Sequence, residues 1–492
     1  MYHWYVSPCY TPRVKTGFLL AILAYAAVIW AAGLRPLLRF RGGLESFFLA
    51  SRALGPGRVA FSLCASWIGA ASLLVSTDEA SRDGLSAIWI IGVPAVATLL
   101  LLAALVRPIR GTAGLTLSEL MRSRYGRTAE TATTVLLVWY MTVLAASQLV
   151  AAGPFLSAFL GTGPALGMAA AVAIVMVYSA AGGLQAVART HVVQFALLIA
   201  GVAGMAGFLA GRVSWSAVEA AAAGLGKTSY FDVWAGGERS LLIAASFVLA
   251  WTISPIAWQR MQAARSGSAA RQGLVVAAVL LGLFYAGIVA VGMLFLPFFP
   301  GGTTGVPLVT RFASSGAGPF LGGLVFVTVL AAILSTTDAA LNAGAFTLTK
   351  DLLGRRPGRS AAAGPERSPL ILARASSLAL AAASLLIAIR LGDILKTLGL
   401  ASTIMAEGLL VPGLAALFLK KRAPLAGLLS LLLGGGHATV CFLAESGLVS
   451  LAVPPWPRSL PLGFGLGASG FLLGLFLEGV RARRAPSGAP GA

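Results

Sequence analysis

Charge is what this sequence has least of. Asp, Glu, Lys and Arg make up 11% of its 492 residues, against about 25% in an ordinary soluble domain. So few charges cannot cover a water-facing surface, which excludes a soluble globular protein of this length. Histidine is scarcer still: His3, His191 and His437 stand far apart. Metal-dependent hydrolases and transferases need clustered His, Asp or Glu, so the chain does not read as an enzyme. Cys9, Cys64 and Cys441 are equally scattered, with neither metal-ligand spacing nor a disulfide framework. Cys64 reads as a small apolar packing residue. A Gly-rich phosphate loop of the form GxxxxGK[ST] is missing, which argues against ATP as a partner. The N-terminus lacks a cleavable-signal pattern, so the apolar residues 17–34 read as a retained first span.

Apolar residues are abundant. They reach 58% of the chain, mean hydropathy is +0.88, and runs of about 20 residues, the length of a membrane-crossing helix, recur throughout. The expected fold is an all-α polytopic membrane protein whose partner is the lipid bilayer. Thirteen spans are predicted, at 17–34, 59–81, 85–106, 130–160, 164–181, 192–211, 240–259, 274–298, 317–350, 370–390, 396–419, 424–444 and 461–480. The formal charge of +20 suggests nucleic acid at first sight. The basic residues, however, fall in short segments between spans, such as "RPLLRFRGG", "RPIRG", "RSRYGR", "GRRPGR", "KKR" and "RARR". With the N-terminus outside, the inner segments hold 26 of the 36 Lys and Arg, which is the positive-inside signature. The reading is N-out and C-in, with no nucleic-acid partner. Arg well in excess of Lys, with abundant Ala and Gly, points to a GC-rich bacterium and hence to its cytoplasmic membrane. Nothing in the residues bears on oligomeric state.

Two spans look interrupted. Span 2 reads "FSLCASWIGAASLLVSTDEASRDG", with small and hydroxyl residues at its middle and Asp78, Glu79 and Asp83 towards its outer end. Span 7 reads "SFVLAWTISPIAWQR", where Pro255 removes a backbone donor and Thr252 and Ser254 can satisfy freed carbonyls. The interrupted spans are five apart. If spans 2–6 and 7–11 are two five-helix repeats, each opens with a broken helix, and the odd number inverts one copy relative to the other. Broken helices at matching positions of inverted halves mark the binding site of secondary transporters. The expected organisation is one transmembrane domain over 1–492. It comprises an extra span at 17–34, repeat 1 at 59–211, repeat 2 at 240–419, two further spans within 424–480, and a cytoplasmic tail at 481–492.

Span 9 carries the most polar stretch of the interior, "AAILSTTDAALNAGAF" (331–346). Ser335, Asp338 and Asn342 share a helix face, with Thr336 at its border, and the surrounding Ala and Gly residues let a neighbouring backbone come close. An Asp at a span centre costs about 2.5–3.5 kcal/mol on insertion scales, so such residues face protein or water. Adjacent hydroxyls beside a broken helix offer the neutral oxygens a dehydrated Na⁺ needs. Equally, Ser and Thr can serve only to knit helices together.

"AAILSTTDAALNAGAFTLTKDLL" resembles the signature helix of the sodium/solute symporter family, roughly Ala-x-x-Ser-Thr-x-Asp-x-x-Leu with a Thr-x-Asp-Leu exit. "YSAAGGLQAVARTHVVQ" (178–194) is similar to the family's Tyr-Thr-x-x-Gly-Gly-x-x-Ala-Val-x-x-Thr-Asp-x-x-Gln. "FFLASRALG", "PIAWQRMQAARSGSAARQG" and "EGLLVPGLAALFLKKRAPLAG" agree in place and kind, so the likeness runs in family order from about residue 45 to 430. It implies a LeuT-type inverted repeat, alternating access, and Na⁺-coupled symport of a small organic solute. The implied Na⁺ ligands are the carbonyls of Ala65, Ile68 and Ala332 and the hydroxyls of Ser335 and Thr336. The implied solute contacts are Ser66, Trp67, Gly69 and Ser72 on span 2, Gln148 on span 4, and Thr252 and Ser254 on span 7.

The departures from the family pattern matter. Trp67 stands where some relatives carry Asp or Asn and Gly69 where some carry Ser, which removes a side-chain ligand from span 2. His191 replaces the family's Asp and reads as a solvated cap at a cytoplasmic helix end in preference to a proton switch. Glu407, inside span 11, is a coupling candidate or the partner of a basic or hydroxyl group. Asp338 and Asn342 have coupling or structural roles. A proton-coupled symporter of the same fold is the alternative, followed by a transport-like sensor.

Overall fold

The computed structural model describes residues 12–34, 44–112, 114–300, 305–353, 367–390, 393–419 and 421–484. Basic segments within 35–43 and 354–366, with His3, Cys9 and the end of the C-terminal tail, lie outside the described residues. Among those described, the chain is helical throughout, and its only β pairing is one isolated bridge between Leu54 and Ala264.

In chain order the helices are α1 (Pro12–Leu34), α2 (Leu44–Leu49), α3 (Pro56–Trp67), α4 (Ser76–Asp83), α5 (Gly92–Arg110), α6 (Leu117–Leu160) and α7 (Pro164–Ala210). A short outer helix α8 (Trp215–Gly224) precedes α9 (Gly237–Thr252), α10 (Pro255–Ala263), α11 (Gly267–Phe298), α12 (Leu308–Arg311) and α13 (Gly318–Thr347). The remainder are α14 (Arg367–Arg390), α15 (Ile394–Thr403), α16 (Leu410–Phe418), α17 (Pro424–Ser430), α18 (Gly436–Glu445) and α19 (Leu460–Arg484).

The thirteen expected spans lie on helical backbone apart from breaks within the second and seventh, but thirteen separate crossings are not what length and apolarity give. Among the described residues ten helices qualify, or eleven when α9 and α10 count as one bent span. The second half of span 2 runs on into span 3 as one stretch, Ala71–Arg110, and Pro164–Ser179 is too short to qualify alone. Two long helices change direction at glycine. Gly126 (φ 87°) separates the basic lead-in of α6 from its membrane portion, and Gly183 (φ 55°) divides α7. Both φ values lie where a Cβ is strained. At Gly183 a side chain would also run into the Phe47 carbonyl.

Helix α13 is the hub. It packs on α6, α7 and α3, and its residues from Val329 to Ala345 are all buried. Polar contacts gather at the two ends of the bundle. At one end Leu54 N–H donates to the Ala263 carbonyl (3.1 Å), Ala423 N–H to the Arg124 carbonyl (2.9 Å), and Lys350 pairs with Glu119 (2.7 Å). At the other, Leu85 N–H donates to the Tyr230 carbonyl (3.0 Å), Leu308 N–H to Asp78 (2.8 Å), and Glu79 meets Arg82 and Arg239.

Candidate functional site

Spans 2 and 7 both break at the middle of the bundle. Helix α3 ends at Trp67, and Ile68 (φ −87°, ψ 83°) leaves the helical region. The chain resumes in a π turn at Ala71–Val75 that leads into α4. Gly69 has to be glycine for packing: a Cβ there would sit 2.6 Å from Gln148 Oε1 and 3.0 Å from Thr336 Oγ1. The next amide, Ala70 N–H, is freed by the break and donates to Gln148 Oε1 at 2.8 Å. On span 7, α9 stops at Thr252 and α10 restarts at Pro255, bent by 41°. Proline suits that place, because the first turn of a helix has no intrahelical use for its missing N–H.

Beside the first break, Ser335 Oγ lies 2.7 Å from the Ala65 carbonyl and 3.1 Å from the Ala332 carbonyl. Its single proton can serve only one of them well. Thr336 Oγ1 is buried and has no hydrogen-bond partner in the structure. Buried hydroxyls are normally satisfied, so this oxygen is left for something that is not protein. Ala65, Ala332 and Ser335 thus meet through their oxygens, Thr336 follows Ser335 on α13, and Ile68 stands at the break three residues after Ala65.

Between the breaks lies a cavity of about 40 Å³. Ser66, Trp67, Gly69, Ser72, Gln148, Ser254 and Thr336 line it. Thr252 does not; its hydroxyl turns back along the helix to the Val248 carbonyl (2.7 Å). Trp251, Tyr140, Leu144, Ile91, Ile256 and Leu398 also contribute to the wall and were not expected. Tyr140 and Leu144 were open to inference, since they precede Gln148 by two turns and one turn on the same face of α6. Trp67 and Trp251 approach with ring centroids 5.3 Å apart, and Phe247 stacks behind Trp251 at 4.9 Å.

A second polar cluster lies one turn along α13. His191 is not a solvated cap; it is fully buried, with Nε2 2.9 Å from Asp338 Oδ1. The second limb of α7, after the turn at Gly183, carries it inward against α13. Tyr178 donates to the other oxygen of Asp338. His191 Nδ1 stands 3.0 Å from Ser62 Oγ, which also accepts from Arg260 Nε at 3.3 Å. Arg260 Nη1 donates to Gln259 Oε1 (2.9 Å), and Gln259 Nε2 to Asn342 Oδ1 (3.0 Å). The network therefore ties α3 and α10 to α7 and α13. Glu407 sits apart, fully buried in a π turn (Ile404–Leu409) with His437 Nδ1 at 2.8 Å. The expected basic partner is thus a histidine.

The profile of the Sodium:solute symporter family matches residues 47–434. Among curated proteins, the rat sodium/glucose cotransporter 2 is 28% identical over 233 residues, 46% of this chain and 32% of that protein. The mouse solute carrier family 5 member 4B is 30% identical over 221 residues, 41% and 33% respectively. The chain thus spans about a third of the length of the curated relatives it matches. Among solved structures, a Na⁺-coupled sialic acid symporter in a substrate-bound outward-open state superposes with a TM-score of 0.77. It is 17% identical, and the match covers 97% of this chain and 99% of that one. MHP1, a nucleobase-cation-symport-1 family transporter in a closed conformation, gives 0.51 at 17% identity, covering 90% and 95%. At these identities the structures speak for the fold alone, which is LeuT-type. The length of the profile match settles the family: this chain belongs to the sodium:solute symporter family, whose members are membrane transporters and not enzymes.

Proposed function

We propose that this protein carries a small organic solute into the cell together with Na⁺ by alternating access. One observation carries the reading: Ser335 Oγ converges with the Ala65 and Ala332 carbonyls while Thr336 Oγ1 stands beside them with no partner. The ligands are the carbonyls of Ala65, Ile68 and Ala332 and the hydroxyls of Ser335 and Thr336. Adjacent helical residues point about 100° apart, so both hydroxyls reach one ion only if it lies between α13 and the broken span 2. An ion held there binds the two elements together, and only an ion that favours one arrangement can shift the balance between them. Solute binds in the adjoining cavity through Ser66, Trp67, Gly69, Ser72, Gln148 and Ser254. The repeats run over 59–211 and 240–419, each opening on its broken helix. A charge moving through 100 mV releases about 2.3 kcal/mol, enough for roughly fiftyfold accumulation at 1.4 kcal/mol per decade.

The test is uptake into proteoliposomes by the Ser335→Ala, Thr336→Ala double variant. Alanine is at home in this stretch, so folding stays near wild type while apparent Na⁺ affinity falls at least tenfold, about 1.4 kcal/mol. Unchanged Na⁺ affinity would sink the assignment. A proton-coupled reading has one observation in its favour, the buried acid–base pair Glu407–His437. Equal uptake under a proton gradient in Na⁺-free buffer would decide for it.

A further inference from the structure

The bundle has a larger cavity away from the helix breaks. It measures about 500 Å³, against about 40 Å³ for the one between them, and lies where the end of α5 meets the start of α11. The two helices run antiparallel along one another: Gly92 faces Tyr285, Gly282 faces Val96, and the other ends meet at the cavity. Ala103, Ala104 and Val106 give it an apolar wall, while Ser268, Arg107 and Arg271 bring hydrogen-bonding groups and two positive charges. None of these residues belongs to the Na⁺ or solute contacts named above.

An arginine near a membrane surface is ordinary, because its apolar stem lets the charged head reach water. This pair is set apart by what surrounds it. Both side chains are exposed, and they come to one cavity from two helices. Neither α5 nor α11 contains an Asp or Glu, and among the described residues neither arginine has a hydrogen bond or an ion pair. Arg110, one turn further along α5, is different: its guanidinium is spent on the carbonyls of Met261 and Ala264. Pro108 adds an acceptor, since it has no N–H to give the Ala104 carbonyl one turn earlier. Two cations without an acid, beside a carbonyl short of its helical donor, complement an anion that also carries a hydroxyl. The planar fork of arginine suits the oxygens of a phosphate.

What lies beyond the arginines decides between a soluble anion and a lipid. On α11, Val275, Val279 and Leu283 follow Arg271 at intervals of four residues, and all three are exposed. On α5, Ala104 and Leu100 precede Arg107 at intervals of three and four, and both are exposed as well. Residues three or four apart share a helix face, so each arginine heads an apolar stripe that runs along a membrane-crossing helix. A soluble phosphate has no use for those stripes. An acyl chain lies along them.

We infer that the groove between α5 and α11 binds an anionic phospholipid, its phosphate between Arg107 and Arg271 and an acyl chain along the two stripes. A headgroup hydroxyl, as in phosphatidylglycerol, reaches the Ala104 carbonyl, and the bound lipid staples α5 to the start of α11. The test is native mass spectrometry of the delipidated protein, titrated separately with phosphatidylglycerol, phosphatidylcholine and soluble glycerol 3-phosphate. Phosphatidylglycerol should bind more tightly than either of the others by about tenfold or more, about 1.4 kcal/mol. Arg107→Ala with Arg271→Ala should weaken it roughly thirtyfold, or about 2 kcal/mol. Arg122→Ala with Arg127→Ala removes the same charge from exposed positions at the same end of the bundle, and should weaken it by no more than about twofold, because distant exposed charges are screened. Ser268→Glu keeps both arginines and sets a carboxylate beside them, so it should weaken the lipid by about tenfold even if the double variant fails to fold. Equal affinity for phosphatidylcholine overturns the anionic class, and equal affinity for glycerol 3-phosphate replaces the lipid by a soluble phosphate. Equal losses in the two double variants would reduce binding to the diffuse positive field of that end and overturn the site.

Discussion

At the scale of single residues, Gly69 is the position where substitution is most informative. Its missing Cβ is what lets Gln148 and Thr336 meet the broken segment. Gly69→Ala should weaken both solute and Na⁺ apparent affinity, by about tenfold or 1.4 kcal/mol. Gly57→Ala, with open space around it, should leave both unchanged in the same uptake assay. Asp338 makes a different case. It is fully buried, with His191 and Tyr178 on its two oxygens and the Arg260 guanidinium nearby in the network. Removing one partner of a buried pair costs about 3–5 kcal/mol, so Asp338→Ala should lower the thermal midpoint sharply, and Asp338→Asn should lower it less. An Asp338→Ala midpoint equal to wild type would mean the pair is not formed. Ser335, Thr336 and the span 2 residues were legible in the sequence because their polarity stands out in an apolar run. The His191–Asp338 pair was not. The two residues are 147 positions apart, and no local pattern shows that the second limb of α7 faces α13.

At the scale of elements, the interruptions that involve proline or clustered small residues were visible in advance, and the π turns were not. A π turn inserts one residue without disturbing an already apolar pattern, so Ala71–Val75 and Ile404–Leu409 leave no trace in composition. The turn around Glu407 depends on neighbouring glycines. Gly434 and Gly467 face its carbonyl, and Gly463 faces its carboxylate and the His437 ring. A methyl group on Gly463 would meet that hydrogen-bonded pair, whereas nothing lies within 4 Å of Gly465. Gly463→Ala should therefore destabilise the protein by more than 1 kcal/mol, in the range of overpacked cores, and Gly465→Ala should be near neutral in the same thermal melt. Glu407→Gln separates structure from coupling. If the pair carries a coupling proton, the variant's transport loses its pH dependence. An unaltered pH profile and rate assign Glu407 to holding spans 11, 12 and 13 together.

At the scale of the whole molecule, the question is which end faces the cytoplasm. The contacts sort the loops into two groups without saying which is inside. Arg110 reaches the carbonyls of Met261 and Ala264, and Arg265 N–H donates to the Leu54 carbonyl (2.9 Å), so the loops around 52, 110 and 265 share one end. Arg124 and Lys350 belong to that end through Ala423 and Glu119. Lys227, Arg239 and Arg82 gather at the other, where Lys227 faces the Tyr230 ring and Arg239 meets Glu79. The same partition follows from counting crossings, and the basic residues crowd the first group. Positively charged segments are held back on the cytoplasmic side during insertion, which predicts that group inside, with the N-terminus out and the C-terminus in. Two exposed positions decide it, in a background from which the native cysteines have been removed. Ser268→Cys, beside Arg265 and Arg271, should react with a membrane-impermeant maleimide only after the cells are opened. Ala220→Cys, on the outer helix α8, should react in intact cells. The reverse pattern would invert the orientation. Reaction of both cysteines from one side would break the span count between them, and with it the assignment of α9 and α10 to a single crossing.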